Sequence, residues 1–287
     1  MADLVTLRSD ALTASIHPLG AELWSLRDTE GRELMTDADP AFWSGHAPLL
    51  FPIVGALAGD AYRLGGRSFA MPRHGFARRS EFAQVEAEAG RALFRLDASE
   101  ASRAQYPFDF RLDMAFALEG ATLAMTATVS NRGDAPMPFG CGIHPYFTAT
   151  RVALHARRIW PTDADGLPGA SQTTHVRELG QSAEGCDTYL SQWGGRATLH
   201  WPDGHELALH ADPAFARTPA ELLTDEYGRQ RFALIDPAKA TPAFSPGALV
   251  APKLEGEGDT TYMTVADKDG MMVSLIQSNY RGMGGGL

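Results

Sequence analysis

The stretch RLDMAFALEGATLAMTATVSN (111–131) decides the fold class, because its two halves, 111–120 and 121–131, each alternate apolar and polar side chains. A period of two places one face of a β-strand on a core and the other face in water. The preceding run RALFRLDAS (91–99) has the same period. We therefore predict consecutive strands rather than helices in this part of the chain.

A second strand unit lies further along the chain, in RATLHWPDGHELALH (196–210). Two alternating runs flank Pro202-Asp203-Gly204, and a tripeptide of this composition favours a turn. The sequence contains 29 glycines and 18 prolines, which recur between the apolar runs. These features predict a mostly β protein whose antiparallel sheets stack as a sandwich or form a broad barrel.

The length and composition exclude several classes of protein. With 287 residues, 44% hydrophobic and 21% charged, the chain is long enough for one large domain or two modest ones. The net charge of -10 argues against a nucleic-acid partner and against an anionic membrane surface. No apolar run is long enough to predict a membrane span, and the first residues lack the pattern of a secretory signal.

The two cysteines, Cys141 and Cys186, match neither a disulfide framework nor the spacing of a zinc site. We interpret them as buried thiols. The expectation from these absences is a cytoplasmic protein. The sequence does not determine the oligomeric state.

Three segments bring chemistry into the β-rich part: HAPLLFPIVGAL (46–57), MPRHGFARRSEF (71–82) and FGCGIHPYF (139–147). They contain His74, Arg78 and His144, and we predict that both histidines lie in irregular segments between strands. Imidazole titrates near neutral pH and suits general acid–base catalysis, while arginine offers a planar fork of donors. The alternatives are a surface histidine in a basic loop for His74 and a core histidine bonded to backbone for His144.

The ordered segments LLFPIVGAL, HGFARRSEF and GIHPYF resemble the aldose 1-epimerase (galactose mutarotase) family. They are most similar to the branch that includes LacX-like and hexose-6-phosphate mutarotase proteins. Downstream, GCDTYL (185–190) resembles the family's aspartate segment, with Asp187 at the matching place. The resemblance covers residues 1–210 and implies a galactose-mutarotase-like antiparallel β-sandwich, or supersandwich, with an open sugar groove.

The resemblance also implies an activity, which is interconversion of the α and β anomers of an aldose or a hexose phosphate without metal or cofactor. It implies that His144 is the general acid at the ring oxygen and that His74 holds the sugar or stabilises developing charge. Arg78 would bind substrate oxygens and Asp187 would fix a hydroxyl. The alternative for Asp187 is that it only caps a turn.

The family's catalytic base is a glutamate in a strand segment well after the aspartate motif. None of the later glutamates considered has that setting, because two lie in a predicted helix and two in a Gly-flanked loop: Glu221, Glu226, Glu255 and Glu257. We therefore expect a sandwich that lacks its last strands and an activity that is impaired. The alternative is a carbohydrate-binding protein without catalysis.

The rest of the chain, 211–287, has a different sequence pattern. TPAELLTDEYGRQRFALIDPAKA (218–240) predicts a helix, and TYMTVADKDGMMVSLIQS (261–278) predicts a hairpin after a Pro- and Gly-rich loop. Residues 211–240 and 258–284 resemble the γ-glutamyltransferase family around its self-cleavage point.

That resemblance places the nucleophilic threonine of the γ-glutamyltransferase family at Thr260, directly after Asp259. An ordinary strand residue is the alternative for Thr260. We therefore predict two units, 1–210 and a short α+β appendage at 211–287, which join near LHADPAF (209–215). The appendage alone would be a fragment of such a transferase.

Overall fold

The computed structural model describes residues 4–41, 44–161, 172–180, 188–191, 195–211, 265–266 and 272–273. Most of these residues belong to strands. The strands are β1 Val5–Arg8, β2 Leu12–His17, β3 Glu22–Asp28, β4 Leu49–Leu50, β5 Ala61–Leu64, β6 Arg67–Ala70, β7 Ala83–Glu88, β8 Arg91–Asp97, β9 Phe110–Glu119, β10 Thr122–Asn131, β11 Gly142–Ile143, β12 Arg151–Pro161, β13 Gln172–Gly180, β14 Thr188–Ser191, β15 Arg196–His200, β16 Glu206–His210, β17 Val265–Ala266 and β18 Met272–Val273.

Helical structure in these ranges is short. One α-helix, α1, spans Glu100–Gln105, and single 3₁₀ turns span Ala58–Asp60 and Ala77–Arg79. Ser99 caps α1, because its side chain accepts a hydrogen bond from the backbone N–H of Ser102. No helix among the described residues is long and apolar enough to cross a bilayer.

The strands form two larger sheets and several small ones, and every pair between them is antiparallel. One sheet has the order β10-β9-β8-β7, and another has the order β13-β12-β15-β16 with β14 also paired to β12. The first three strands form a sheet of their own in the order β1-β2-β3. The prediction of a mostly β fold with antiparallel sheets is confirmed.

Strand β9 shows why the period of two predicted this sheet. Its inward side chains are all buried: Phe110, Leu112, Met114, Phe116 and Leu118. The outward Arg111 and Asp113 form ion pairs with Asp97 and Arg95 of the neighbouring β8. The alternation thus separates a core face from a charged face, and the strands predicted at 91–99, 111–120 and 121–131 are confirmed.

The hairpin predicted in 196–210 is present. Strands β15 and β16 pair in register around a turn in which the Trp201 N–H donates to the His205 carbonyl at 3.0 Å. Strands β17 and β18 pair antiparallel on either side of residues 267–271. The helix predicted at 218–240 lies outside the described residues.

The core centres on aromatic rings that join the sheets to the irregular segments. Phe51 is fully buried, and its ring lies 5.1 Å from that of Phe110 in β9 and 6.0 Å from that of Phe139, centroid to centroid. Cys141 is buried beside it in the same cluster, and burial raises the pKa of its thiol to about 12. The prediction of a buried thiol is confirmed for Cys141, whereas Cys186 lies outside the described residues.

Candidate active site

The candidate site is built on the segment 46–55, which receives both histidine-bearing loops. Leu49–Leu50 pair antiparallel with Gly142–Ile143, directly before His144. Phe51, the next residue, forms a parallel bridge with Gly75, directly after His74. Two loops that are 70 positions apart in sequence are therefore held on neighbouring residues of one segment.

His74 is held by two hydrogen bonds to Gly55, one from its backbone and one to its ring. Its N–H donates to the Gly55 carbonyl at 2.7 Å, and the Gly55 N–H donates to its Nδ1 at 2.9 Å. The residue has a φ of 66°, a left-handed conformation in which histidine is several-fold enriched among side-chain-bearing residues. Only 6% of His74 is exposed, so the interpretation as a surface histidine in a basic loop is wrong.

The protonation state of His74 follows from these contacts. Burial, then the charge of Arg78, then His144 and Arg73, lower the pKa of its imidazole to about 4. A neutral ring whose Nδ1 accepts a hydrogen bond carries its proton on Nε2. Nε2 is buried and has no hydrogen-bond partner among the described residues. His74 therefore presents an N–H donor at neutral pH.

Gly75 is required because two backbones approach each other at this point. A Cβ on Gly75 would lie 2.1 Å from the Phe51 carbonyl oxygen, and the residue has a φ of 69°. The Phe51 carbonyl in turn accepts hydrogen bonds from the N–H groups of Phe76 and Ala77, at 2.9 and 3.2 Å. The turn that carries His74 is thus docked on Phe51 through its main chain.

His144 lies on the opposite side of the same segment. Its N–H donates to the Pro48 carbonyl at 3.1 Å, and its ring stacks on that of Tyr146 with centroids 4.7 Å apart. Its exposed fraction is 7%. The two imidazoles are close enough for His144 to contribute to the lowered pKa of His74, after burial and Arg78. The loops that carry the two histidines are therefore docked on one segment.

Arg78 brings a positive charge to this pair. Its Nη2 donates to the Arg73 carbonyl at 3.0 Å, whereas its Nε is buried without a hydrogen-bond partner among the described residues. Burial lowers the pKa of Arg78 and the nearby Arg79 and Arg73 add to this, while Tyr146 and Glu22 act in the opposite direction. The guanidinium is half-buried among other cations, which is an environment that favours an anionic or oxygen-rich ligand.

Two further residues lie close to Arg78 and were not predicted as site residues. Tyr146 lies in the quoted segment FGCGIHPYF, and burial raises the pKa of its phenol well above the usual range. Glu22, at the start of β3, lies close enough for its charge to raise the pKa of both Arg78 and Tyr146. No motif marks Glu22 in the sequence, and only the fold brings it here.

Of the predicted site residues, the structure brings together His74, His144 and Arg78. Asp187 lies outside the described residues, and its role stays a prediction. Two histidines beside an arginine suit proton transfer on a polar ligand that is rich in oxygen atoms. No cofactor is predicted for this site. The fold and the site together therefore define an antiparallel β protein with a candidate acid–base site.

Comparison with known proteins narrows this class to a family. The sequence profile of aldose 1-epimerase matches residues 3–215, which is most of the chain, so the protein belongs to the aldose 1-epimerase family. The chromosomal and plasmid forms of protein LacX from Lactococcus lactis are each 33% identical to it over 154 residues, which is 52% of this chain and 52% of LacX. The chain thus spans about half the length of the curated relatives it matches.

Solved structures give the same family with wider coverage. A galactose mutarotase related enzyme from Lactobacillus acidophilus has a TM-score of 0.68 and 25% identity, covering 72% of this chain and 76% of its own. A galactose mutarotase-like protein from Lactobacillus casei has a TM-score of 0.68 and 25% identity, covering 75% and 81%. These likenesses confirm the predicted galactose-mutarotase-like β-sandwich.

A second family matches the end of the chain. The profile of γ-glutamyltranspeptidase matches residues 200–287, and it overlaps the aldose 1-epimerase match over residues 200–215. Thr260 and the glutamates at 221, 226, 255 and 257 lie outside the described residues. The boundary between units at 210–211 and the role of Thr260 stay predictions.

Proposed function

We propose that this protein is an aldose 1-epimerase, which interconverts the α and β anomers of an aldose by general acid–base ring opening. The observation that carries the proposal is that the loops bearing the buried His74 and His144, and the half-buried Arg78, dock on one segment. Two polar atoms in this cluster, His74 Nε2 and Arg78 Nε, are buried without hydrogen-bond partners among the described residues. Buried polar groups are nearly always paired, so a polar ligand explains these two atoms.

The proposed roles follow the chemistry of each group. His144 gives a proton to the ring oxygen while a base takes the proton of the C1 hydroxyl, and the C1–O5 bond breaks to leave an open-chain aldehyde. Rotation about C1–C2 and the reverse proton transfers close the ring on its other face. His74 is suited to donate a hydrogen bond from its Nε2–H to a sugar oxygen, because its ring is neutral above about pH 4.

Arg78 and Asp187 complete the proposed binding of the sugar. The guanidinium of Arg78 would donate to substrate oxygens, and Asp187 would accept from a hydroxyl. The family resemblance predicts a glutamate as the base, and we assign no residue of this chain to that step. Each positioned acid or base typically contributes ~10²–10⁴-fold to the rate.

Polarimetry of freshly dissolved α-glucose and α-galactose tests the proposal. We expect the wild-type protein to speed mutarotation above the rate in buffer, and His144→Ala to lower that enhancement by ~10²–10⁴-fold with the fold retained. His210→Ala is the matched control, since His210 is exposed in β16 and far along the chain from the cluster. A wild-type rate equal to buffer contradicts the enzyme, and calorimetric sugar binding without a rate would instead identify a carbohydrate-binding protein.

The charge of the site suggests that a phosphorylated sugar is a substrate. Arg73 and Arg79 both lie close enough to act on the charge of Arg78, and Glu22 acts there in the opposite direction. A phosphate dianion is bound most strongly by such arginines. We expect hexose 6-phosphate to have a lower KM than the free hexose, and Arg78→Gln to remove that preference. Equal KM values for the two sugars in the wild type contradict phosphate recognition.

The γ-glutamyltranspeptidase match favours a second candidate for the end of the chain, a self-cleaving unit with Thr260 as its nucleophile. That activity requires cleavage between Asp259 and Thr260. Intact-mass spectrometry of the purified protein decides the matter. A single species near the full 30.9 kDa contradicts self-cleavage, and two fragments that Thr260→Ala abolishes support it.

A further inference from the structure

Glu22 joins the N-terminal sheet to the segment on which the histidines are built. It is the first residue of β3, and its Oε1 accepts hydrogen bonds from the backbone N–H groups of His46 and Ala47, at 2.7 and 2.8 Å. Bonds from two donors to one carboxylate oxygen are charge-assisted and stronger than neutral ones. Its other oxygen, Oε2, has no hydrogen bond within the part of the chain that the structure describes.

Glu22 holds His46 and Ala47, and His144 and Tyr146 rest on one of these two residues and on the next one along the chain. The Tyr146 N–H donates to the His46 carbonyl at 2.9 Å, and the His144 N–H donates to the Pro48 carbonyl at 3.1 Å. The stacking of Tyr146 on His144 adds a second contact between these two. A shift of residues 46–48 would therefore move the His144 ring with them.

The same end of β3 is docked against the backbone of Arg78. The Gly20 N–H donates to the Ser80 carbonyl at 2.8 Å, and a Cβ on Gly20 would lie 3.0 Å from the Arg78 carbonyl oxygen. Through this close approach, the start of β3 contacts both the loop that carries Arg78 and the residues 46–48 that hold His144. Glu22 thus stands at the point where both parts of the candidate site meet the first sheet.

We propose that Glu22 is a positioning residue of the site, whose Oε1 fixes residues 46–48 where they hold His144 and Tyr146. Its effect on turnover rests on the proposed function, but its effect on the geometry of His144 does not. The role requires a hydrogen-bond acceptor at the right distance rather than a negative charge. That requirement separates it from a carboxylate that itself takes a proton from the sugar.

Three substitutions distinguish the two roles. Glu22→Gln keeps an oxygen at the same distance and loses the charge, Glu22→Asp keeps the charge and shortens the side chain, and Glu22→Ala loses both. We expect Gln to retain kcat to within a few-fold, whereas Asp and Ala lower it on the order of 10²-fold because the acid is misplaced. The ring resonances of His144 in NMR spectra, assigned with His144→Ala, should shift in the Asp and Ala variants and not in Gln.

Asp28, the last residue of the same strand, provides the matched control. Its Oδ1 also accepts two backbone N–H groups, those of Glu30 and Arg32, both at 2.9 Å, but it lies in the turn at the far end of β3. Asp28→Asn and Asp28→Ala should leave kcat and the His144 resonances unchanged. Thermal unfolding of all the variants reports how much each loses in stability alone.

Two results overturn the proposal. One is a higher kcat for Glu22→Asp than for Glu22→Gln, since the charge and not the acceptor distance would then matter. The other is unchanged His144 resonances in both Glu22→Asp and Glu22→Ala. If the wild-type protein does not speed mutarotation, the proposed function fails, and the resonances still decide whether Glu22 positions His144.

Discussion

The hairpin of β9 and β10 and the loop that carries His74 both turn at a glycine with positive φ, yet they are held in different ways. At Gly120, in the hairpin, φ is 51° and no atom lies within 4 Å of the place that a Cβ would occupy. At Gly75, φ is 69° and the Phe51 carbonyl oxygen lies 2.1 Å from that place. The turn at Gly120 is held by the strands on either side of it. The turn at Gly75 is held against Phe51, which lies more than twenty residues earlier in the chain.

This difference extends to the rest of both regions. In the hairpin every pair from Thr122–Glu119 to Asn131–Phe110 follows in register, so each contact supports the next. In the site, two hydrogen bonds join His74 to Gly55, and hydrogen bonds to the carbonyls of Pro48 and Arg73 help to hold His144 and Arg78. A change in the hairpin should therefore lower stability gradually, whereas a change in the site should disrupt one specific geometry.

The largest effect is expected for Gly75→Ala, compared with Gly120→Ala. An added methyl group at Gly75 meets backbone that cannot move aside, and we expect a loss of about 4 kcal/mol or more in the free energy of unfolding, or no folded protein. At Gly120 only the left-handed conformation opposes the methyl group, which costs about 1–2 kcal/mol. Urea denaturation measures both. Equal losses for the two variants would remove the distinction between the two turns.

A smaller effect is expected in the pH dependence of stability. The pKa of His74 is about 4 in the folded protein and 6.5 in a model peptide, so below pH 6.5 the unfolded state binds a proton that the folded state does not. Stability that is complete above pH 6.5 is therefore lost as the pH falls toward 4, by up to about 3 kcal/mol.

His74→Asn removes this titration and keeps a residue that tolerates positive φ. The difference in free energy of unfolding between wild type and His74→Asn should thus change between pH 6.5 and 4. The exposed His210, replaced by Asn, is the matched control for the loss of an imidazole. A wild-type profile that runs parallel to that of His74→Asn over this range would contradict the burial of a neutral imidazole.

The smallest effect is expected where the structure is most local, at the start of α1. The Ser99 side chain accepts from the Ser102 N–H at 3.1 Å, and the Ser102 side chain accepts from the Ser99 N–H at 2.8 Å. Ser99→Ala should lower the free energy of unfolding by about 1 kcal/mol, and Ser99→Thr should restore it. Neither variant should alter the rate of mutarotation. A change in that rate would show that this helix and the site are coupled after all.

The sequence predicted the strands well because their pattern is local. Alternation in 91–99, 111–120 and 121–131 depends on neighbouring side chains, and each run became a strand within two residues of the expected ends. The polar run MPRHGFARR, by contrast, predicts exposure as readily as burial for His74. Its burial depends on Gly55 and Phe51, which lie about twenty residues earlier in the chain.

The site was predicted in part for a similar reason. His74, His144 and Arg78 stand in segments whose order resembles that of a family, so their residue types and positions were enough to select them. Glu22 stands in no such segment, and its bonds to His46 and Ala47 exist only because β3 and the segment 46–50 become neighbours. Tyr146 was visible in the sequence, but nothing there indicated that its ring stacks on His144.

By itself the sequence determined that the chain folds as antiparallel strands and which histidines and arginine are the predicted site residues. Both are properties of short segments, where side-chain period and residue type act within a few positions. Only the tertiary structure decided that both histidine-bearing loops dock on one segment, that the proton of His74 sits on Nε2, and that a carboxylate from β3 holds that segment. These depend on burial and on hydrogen bonds between residues far apart in the chain, which no local pattern specifies.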